Sequence, residues 1–312
     1  MTSIKEQAFG IELEFGGITR KKAAWAIKKA LGAETAPRWV GGTYDKFIVD
    51  GPDGREWTIM SDASVNAQGG QACEFVTPKC TYADIETVQA CIRALRRAGA
   101  KVDRSCGLHI HIDGANHDAK SLKNLAYTFR AKQDLIFKAV APDRMNNRYC
   151  KPLTDDLVDN IKKIKKLDGQ KMKDAWYGTY SDRFRDSTAH YHDSRYHALN
   201  YHSLWYRGTV EFRLFNSTLH AGEVRAYLNL CLAMSAAAIN AKRASAEPLD
   251  NGNDKYAMRC WLLRLGFIGE EWATVRKHLL KNLDGNAAWR NDPSTYASYN
   301  NRQAAATAEQ PA

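Results

Sequence analysis

The sequence has no C-x-x-C pair, and its seven cysteines are odd in number and scattered. That argues against a disulfide scaffold or a Cys-rich zinc module and for a reducing compartment, so a cytoplasmic location is expected. No stretch approaches the roughly 18 uninterrupted apolar residues that a membrane helix needs. The opening M-T-S-I-K-E-Q-A-F-G lacks an apolar core, so no secretory signal is expected. No internal repeat is present. After Leu283 there is no Ile, Leu, Val, Met or Phe at all, so residues 284–312 are expected to be a disordered tail. Acid is also in deficit. Asp and Glu number 35 against 45 Lys and Arg, a net charge of +10. That surplus suits a partner carrying phosphate or carboxylate, without saying whether it is a nucleotide or a nucleic acid.

What remains is an ordinary globular composition, 44% hydrophobic and 26% charged over 312 residues. About 283 of those plausibly fold, which suits one domain over residues 1–283. Ala8 to Gly16 reads as a strand. Thr19 then caps a helix that ends at Gly32, and residues 33–45 read as a loop. Lys46 to Met60 reads as a hairpin turning at G-P-D-G. The run A-C-E-F-V-T-P is a strand ended by Pro78. Thr81 with Asp84 forms a capping box for a helix running to Gly99. Val102 to Asp113 is the clearest strand, and Asp118 to Val140 a long helix. Residues 144–173 hold nine Lys or Arg against four Asp, 9 − 4 = +5, half the net charge. The I-K-K-I-K-K-L string there reads as a surface helix within a basic variable insertion, 144–190. Arg195 to Phe215 returns to β pattern. Three helices follow, over Glu223 to Ser245, 254–265 and 269–282. Strands and helices do not alternate regularly, which favours an α+β fold with a largely antiparallel sheet.

Three strands carry the chemistry. Successive strand side chains point to opposite faces. In F-G-I-E-L-E-F-G, Phe9, Ile11, Leu13 and Phe15 share one face, and Glu12 and Glu14 share the other with Gly10 and Gly16. In C-G-L-H-I-H-I-D, the apolar face holds Cys106, Leu108, Ile110 and Ile112, and Gly107, His109, His111 and Asp113 oppose it. In T-V-E-F-R-L-F, Glu211 and Arg213 lie opposite Val210, Phe212 and Leu214. One wet face on an antiparallel sheet would give the same alternation. Solvated faces, however, usually mix Thr, Lys, Ser and Gln, whereas these carry Glu, His and Arg. Two neighbouring carboxylates on one face repel unless a cation stands between them. Oxygen ligands with imidazole and no Cys suit Mg²⁺ or Mn²⁺, and an Arg beside a Glu suits a phosphate bridging to the metal.

The strings G-I-E-L-E (10–14), W-T-I-M-S-D-A-S-V (57–65), E-F-V-T-P (74–78), C-G-L-H-I-H-I-D (106–113), R-Y-H-A-L-N (195–200) and T-V-E-F-R-L-F-N-S-T-L (209–219) occur in the order seen in the amidoligase family. Over residues 8–240 the chain resembles that family, which groups with carboxylate–amine ligases built like glutamine synthetase and glutamate–cysteine ligase. The resemblance implies a glutamine-synthetase-like antiparallel sheet forming a funnel or half-barrel, flanked by helices. It implies ATP-dependent amide or isopeptide bond formation through an acyl phosphate, with Mg²⁺ (or Mn²⁺) in the funnel. Small-molecule or peptide carboxylates and amines would be the substrates. Carried over by position, Glu12, Glu14 and Glu74 look like metal ligands. Glu211 and one of His109 or His111 look like ligands of the metal nearer the nucleotide phosphates; His109 is taken as the ligand and His111 as facing the nucleotide. Arg213 would hold the transferring phosphate. Arg195 and Asn200 would face nucleotide or substrate. Asp62 would orient the incoming amine or act as its base.

Two rival readings stand beside this one. A metal-dependent hydrolase would turn the Glu/His cluster on water without ATP. A basic nucleic-acid-binding module would keep salt-sensitive binding after loss of Glu12 and Glu14. The histidines at 190, 192, 197 and 202 complete no recognised metal motif, and that segment reads as a substrate-contacting loop and strand. No membrane partner is expected, and oligomeric state is open.

Overall fold

The computed structural model describes residues 1–178, 186–248 and 252–291. Most of the expected tail therefore lies outside the described residues, as does part of the basic insertion.

Strand β1 (Phe9–Phe15) is followed by helix α1 (Arg20–Leu31), whose Thr19 side chain accepts from Lys22 N–H at 3.1 Å. Three short strands come next: β2 (Arg38–Gly41), β3 (Lys46–Asp50) and β4 (Glu56–Met60). Strand β5 (Cys73–Val76) leads through the Thr81–Asp84 capping box to α2 (Ile85–Arg97). Strand β6 (Gly107–Asp113) precedes α3 (Ala119–Val140). Beyond it lie α4 (Asp155–Lys162), α5 (Gly169–Tyr177), β7 (Leu199–Asn200), α6 (His202–Arg207) and β8 (Thr209–Asn216). The described chain closes with α7 (Ala221–Asn240), α8 (Asp254–Arg264) and α9 (Ala273–Leu280).

The eight strands form one antiparallel, unclosed sheet in the order β2-β3-β4-β5-β1-β6-β8-β7. This is the expected α+β class. The apolar residues of β1, β6 and β8 face helices: Ile11, Leu13, Phe15, Ile110, Phe212 and Leu214 are all buried. Helix α1 packs on β3, β4 and α2; α7 packs on α2, α3 and β6. Burying each such side chain contributes about 1.5–3 kcal/mol, so this layer dictates which way each strand faces. The opposite face, with the carboxylates and imidazoles, points away from the helical layer. Among the described residues no helix is long and apolar enough to cross a membrane.

Four sequence expectations change. The supposed loop 33–45 contains β2, an edge strand held by Arg38, which bonds Asp50 at 2.9 Å and Glu56 at 3.0 Å. Residues 102–106 are not strand, because Asp103 accepts from Ser105 N–H at 2.8 Å and folds the segment into a turn. The I-K-K-I-K-K-L string is not one helix: α4 ends at Lys162, within the string. The stretch 195–215 is not continuous strand. Asn200 Oδ1 accepts from His202 N–H at 2.9 Å and starts α6 between β7 and β8.

Candidate active site

Antiparallel register brings the polar faces of five strands together. Glu14 stands opposite Glu74, Glu12 opposite His109, and His111 opposite Glu211. Glu211 in turn stands opposite Asn200. Opposed residues share a face, so the expected ligands assemble without help from loops. A register shift in β6 between Leu108 and Ile110 is what aligns His111 with Glu211. Asp62, just past β4, joins from the far side.

The result is three overlapping clusters. In each of Glu12–Glu74–His109, Glu12–His111–Glu211 and Glu14–Asp62–Glu74, one ligand atom per residue lies within 4.8 Å of the others. Glu14, Glu74, His109, His111, Glu211 and Arg213 are all buried. Glu12 belongs to two clusters. Its Oε2 is 3.2 Å from His109 Nδ1, and its Oε1 accepts from Arg207 at 3.0 Å. Glu211 accepts from Arg213 at 2.5 Å and from Asn200 Nδ2 at 2.7 Å. Glu14 accepts from Gly107 N–H at 2.5 Å. Gly107 is a close-approach position: a Cβ there would stand 3.0 Å from His109 Nε2 and 3.1 Å from Arg144.

The electrostatics split the carboxylates. Burial alone would raise Glu12, but His111 and His109 hold it well below the usual carboxylate range. Burial would raise Glu211 too, and the Arg213 guanidinium with His111 and His109 brings it down to about 2. Glu14 is pushed up by burial and, against the pull of His109, by Asp62. Glu74 is pushed well above its ordinary value by burial and then by Glu12, Asp62 and Glu14. His111 is raised despite burial, because Glu12 and Glu211 flank it. Its Nε2 is buried and makes no hydrogen bond among the described residues, standing 3.5 Å from Glu12 Oε1. A crowd of like charges beside an orphaned imidazole nitrogen, with oxygen and nitrogen donors only, fits hard divalent cations such as Mg²⁺ or Mn²⁺.

The other expected residues have different settings. Asp62 Oδ1 accepts from both the N–H and Oγ of Ser64, at 2.7 and 2.6 Å, and its Oδ2 has no such bond among the described residues. Asn200 is 1% exposed and packs against Glu211. Arg195 lies at the rim, donating to His190 O at 2.9 Å beside the rings of Tyr191 and Tyr196. With Glu12, Asn200, Glu211 and Arg207 it lines a small cleft. A separate cavity of about 400 Å³ opens beside Glu12 and His111, with Lys79, Asp113 and Arg207 in its wall.

Two arginines escaped sequence reasoning. Arg207 sits on α6 and reaches Glu12. Arg144 falls in the basic window, yet it is 6% exposed and donates to Cys106 O at 2.7 Å and Asn216 Oδ1 at 2.6 Å, beside Glu14. Neither carries a local signal: both lie outside the matched strings, and only the fold brings them to the strands.

No curated protein matches the chain. Among solved structures it is similar to a bifunctional glutathione synthetase from Pasteurella multocida, with 12% identity and a TM-score of 0.43. That match covers 89% of this chain and 47% of the other, so the chain spans about half the length of that enzyme. Residues 5–235 match the family described as "Putative amidoligase enzyme", and over that span the chain belongs to the amidoligase family.

Proposed function

We propose that the protein is an ATP- and Mg²⁺-dependent carboxylate–amine ligase, working as one catalytic domain over residues 1–283 with a glutamine-synthetase-like sheet. The observation that carries this is the set of three linked clusters, two of carboxylate and imidazole and one of carboxylates alone, joined through Glu12 and Glu74 and adjoining Arg213 and Arg207.

A carboxylate is a poor electrophile. In the proposed reaction its oxygen attacks the γ-phosphorus of ATP, and ADP leaves. An amine then adds to the acyl carbon, loses a proton and expels phosphate. Glu12, Glu14 and Glu74 would hold divalent ions on one side, and Glu211 with His109 on the other. Bound there, such ions supply charge neutralisation to the triphosphate and its transferring phosphoryl group. Arg213 would follow that phosphoryl group; its pairing with Glu211 on the same strand face supports this by putting a cation beside the proposed metal ligand. Asn200 keeps the Glu211 carboxylate in one orientation, and Arg195 and His111 would face the nucleotide. Asp62 would take the amine proton, its Oδ1 fixed by Ser64 and its Oδ2 left for the substrate. The cavity beside Glu12 and His111 has room for an organic acid or amine.

The test is ATP-dependent phosphate release over pooled acids and amines, with and without Mg²⁺. The wild type is expected to release phosphate only with the right substrate pair. Glu12→Gln and Glu211→Gln are expected to lower turnover by more than about 100-fold while leaving the fold intact. Amide hydrolysis without nucleotide would instead mark a metal-dependent hydrolase.

A further inference from the structure

A second constellation of metal-binding side chains lies outside the strands just described, where the chain leaves β8 and α9 folds back on α7. His220 is the N-cap of α7, Glu223 lies in its first turn, and His278 projects from α9. One ligand atom from each lies within 4.8 Å of the others. The ring centroids of the two histidines are 4.9 Å apart.

Three features make this more than an accidental grouping. First, His220 Nδ1 accepts from Glu223 N–H at 3.2 Å, so that nitrogen carries no proton. The same N–H also reaches His220 O at 2.9 Å, so Nδ1 can turn to another partner without orphaning a donor. Second, the His278 ring makes no hydrogen bond among the described residues and stands beside the His220 ring. Third, both rings crowd onto Gly222. A Cβ there would stand 2.9 Å from His278 Nε2 and 3.3 Å from His220 Nδ1. Gly in the first turns of a helix costs stability relative to Ala. Here it admits two ring nitrogens that any side chain would separate.

We propose that His220, Glu223 and His278 form a binding site for a transition-metal ion of the zinc class. Two imidazoles and one carboxylate, with no thiolate, are a donor set suited to such an ion and leave a coordination position open. His220 and His278 are part of the wall of a cavity of about 710 Å³ that also holds Arg93, Arg96 and Arg225, with Glu86 and Glu271. The open position therefore faces water or an anion drawn by those arginines. Glu223 is currently shared: Thr218 Oγ1 donates to its Oε2 at 2.8 Å, and Lys281 contacts its Oε1. Lys281 is 39% exposed and can swing into solvent, so its ammonium competes with the metal ion for that oxygen.

The site does not depend on the ligase proposal. Calorimetric Zn²⁺ titration and Co²⁺ visible absorption on the full chain, in saturating Mg²⁺, test it. One bound ion with imidazole–carboxylate absorption is expected. His278→Ala should weaken binding at least about 10-fold. His220→Asn should weaken it equally while keeping a good helix cap, which separates ligand loss from misfolding. Lys281→Met should tighten it several-fold, and Glu12→Gln should leave it unchanged. The proposal is overturned if His278→Ala and His220→Asn bind like the wild type, or if Glu12→Gln abolishes the signal. An unchanged affinity in Lys281→Met would remove Glu223 from the ligand set and overturn it as written.

Discussion

Glu74 is a buried carboxylate under like-charge strain. Its side chain makes no hydrogen bond or ion pair among the described residues, and Glu12, Asp62 and Glu14 surround it. Its pKa is raised in the folded chain, by burial first and then by those neighbours. The folded state therefore prefers Glu74 protonated. As pH rises past the ordinary carboxylate range, ionising it costs folding stability. Glu74→Gln removes that cost. In chelator, thermal melts are expected to place the variant above the wild type at pH 8, with the two converging near pH 4. Saturating Mg²⁺ should narrow the gap at pH 8 by stabilising the wild type alone. The same variant is expected to lose ligase turnover. A Glu74→Gln protein that melts lower in chelator at pH 8 would contradict the like-charge origin of the shift.

At the scale of elements, β7 and α6 form one small device. Asn200 donates its side-chain N–H to Glu211 and its Oδ1 accepts from His202 N–H in the first turn of α6, and α6 carries Arg207 to Glu12. Asn200→Ala is expected to cost about 0.5–1.5 kcal/mol for each hydrogen bond it loses. It should also free Glu211, with turnover falling at unchanged secondary structure; denaturant melts and phosphate-release kinetics check the two parts. None of this device was legible in the sequence. Residues 195–215 alternate like a strand, and nothing local says that an Asn side chain breaks the ladder after two residues. The candidate ligands were legible because alternation on β1, β6 and β8 is a period-two pattern enforced by a buried face. Glu12, Glu14, His109, His111 and Glu211 could be placed on one side before any fold was known. Arg144 and Arg207 could not, since each reaches the sheet from an element whose docking no local pattern encodes. The edge strand β2 stayed hidden for a related reason: it is held by its backbone ladder to β3, with Arg38 ion pairs beside it, rather than by an apolar face.

The whole molecule closes later in the chain than the apolar residues suggest. Hydrophobicity ends at Leu283, yet Asn253, the N-cap of α8, donates to the carbonyls of Asn286 at 3.1 Å and Trp289 at 2.9 Å. A chain ended at Leu283 is therefore expected to melt below one ended at Asn291, by scanning calorimetry, because the cap loses those acceptors. The sheet order carries a further consequence. The central partners of β1 are β5 and β6, and β6 in turn pairs with β8, so the clusters draw on residues from Glu12 to Glu211. Ladders between such distant segments close slowly, because loop entropy is spent before any contact rewards it. A nascent chain that has not yet released β8 can hold neither the Glu12–His111–Glu211 cluster nor Arg213. Metal loading during synthesis would then be a late event, and the onset of activity would time the completion of the fold.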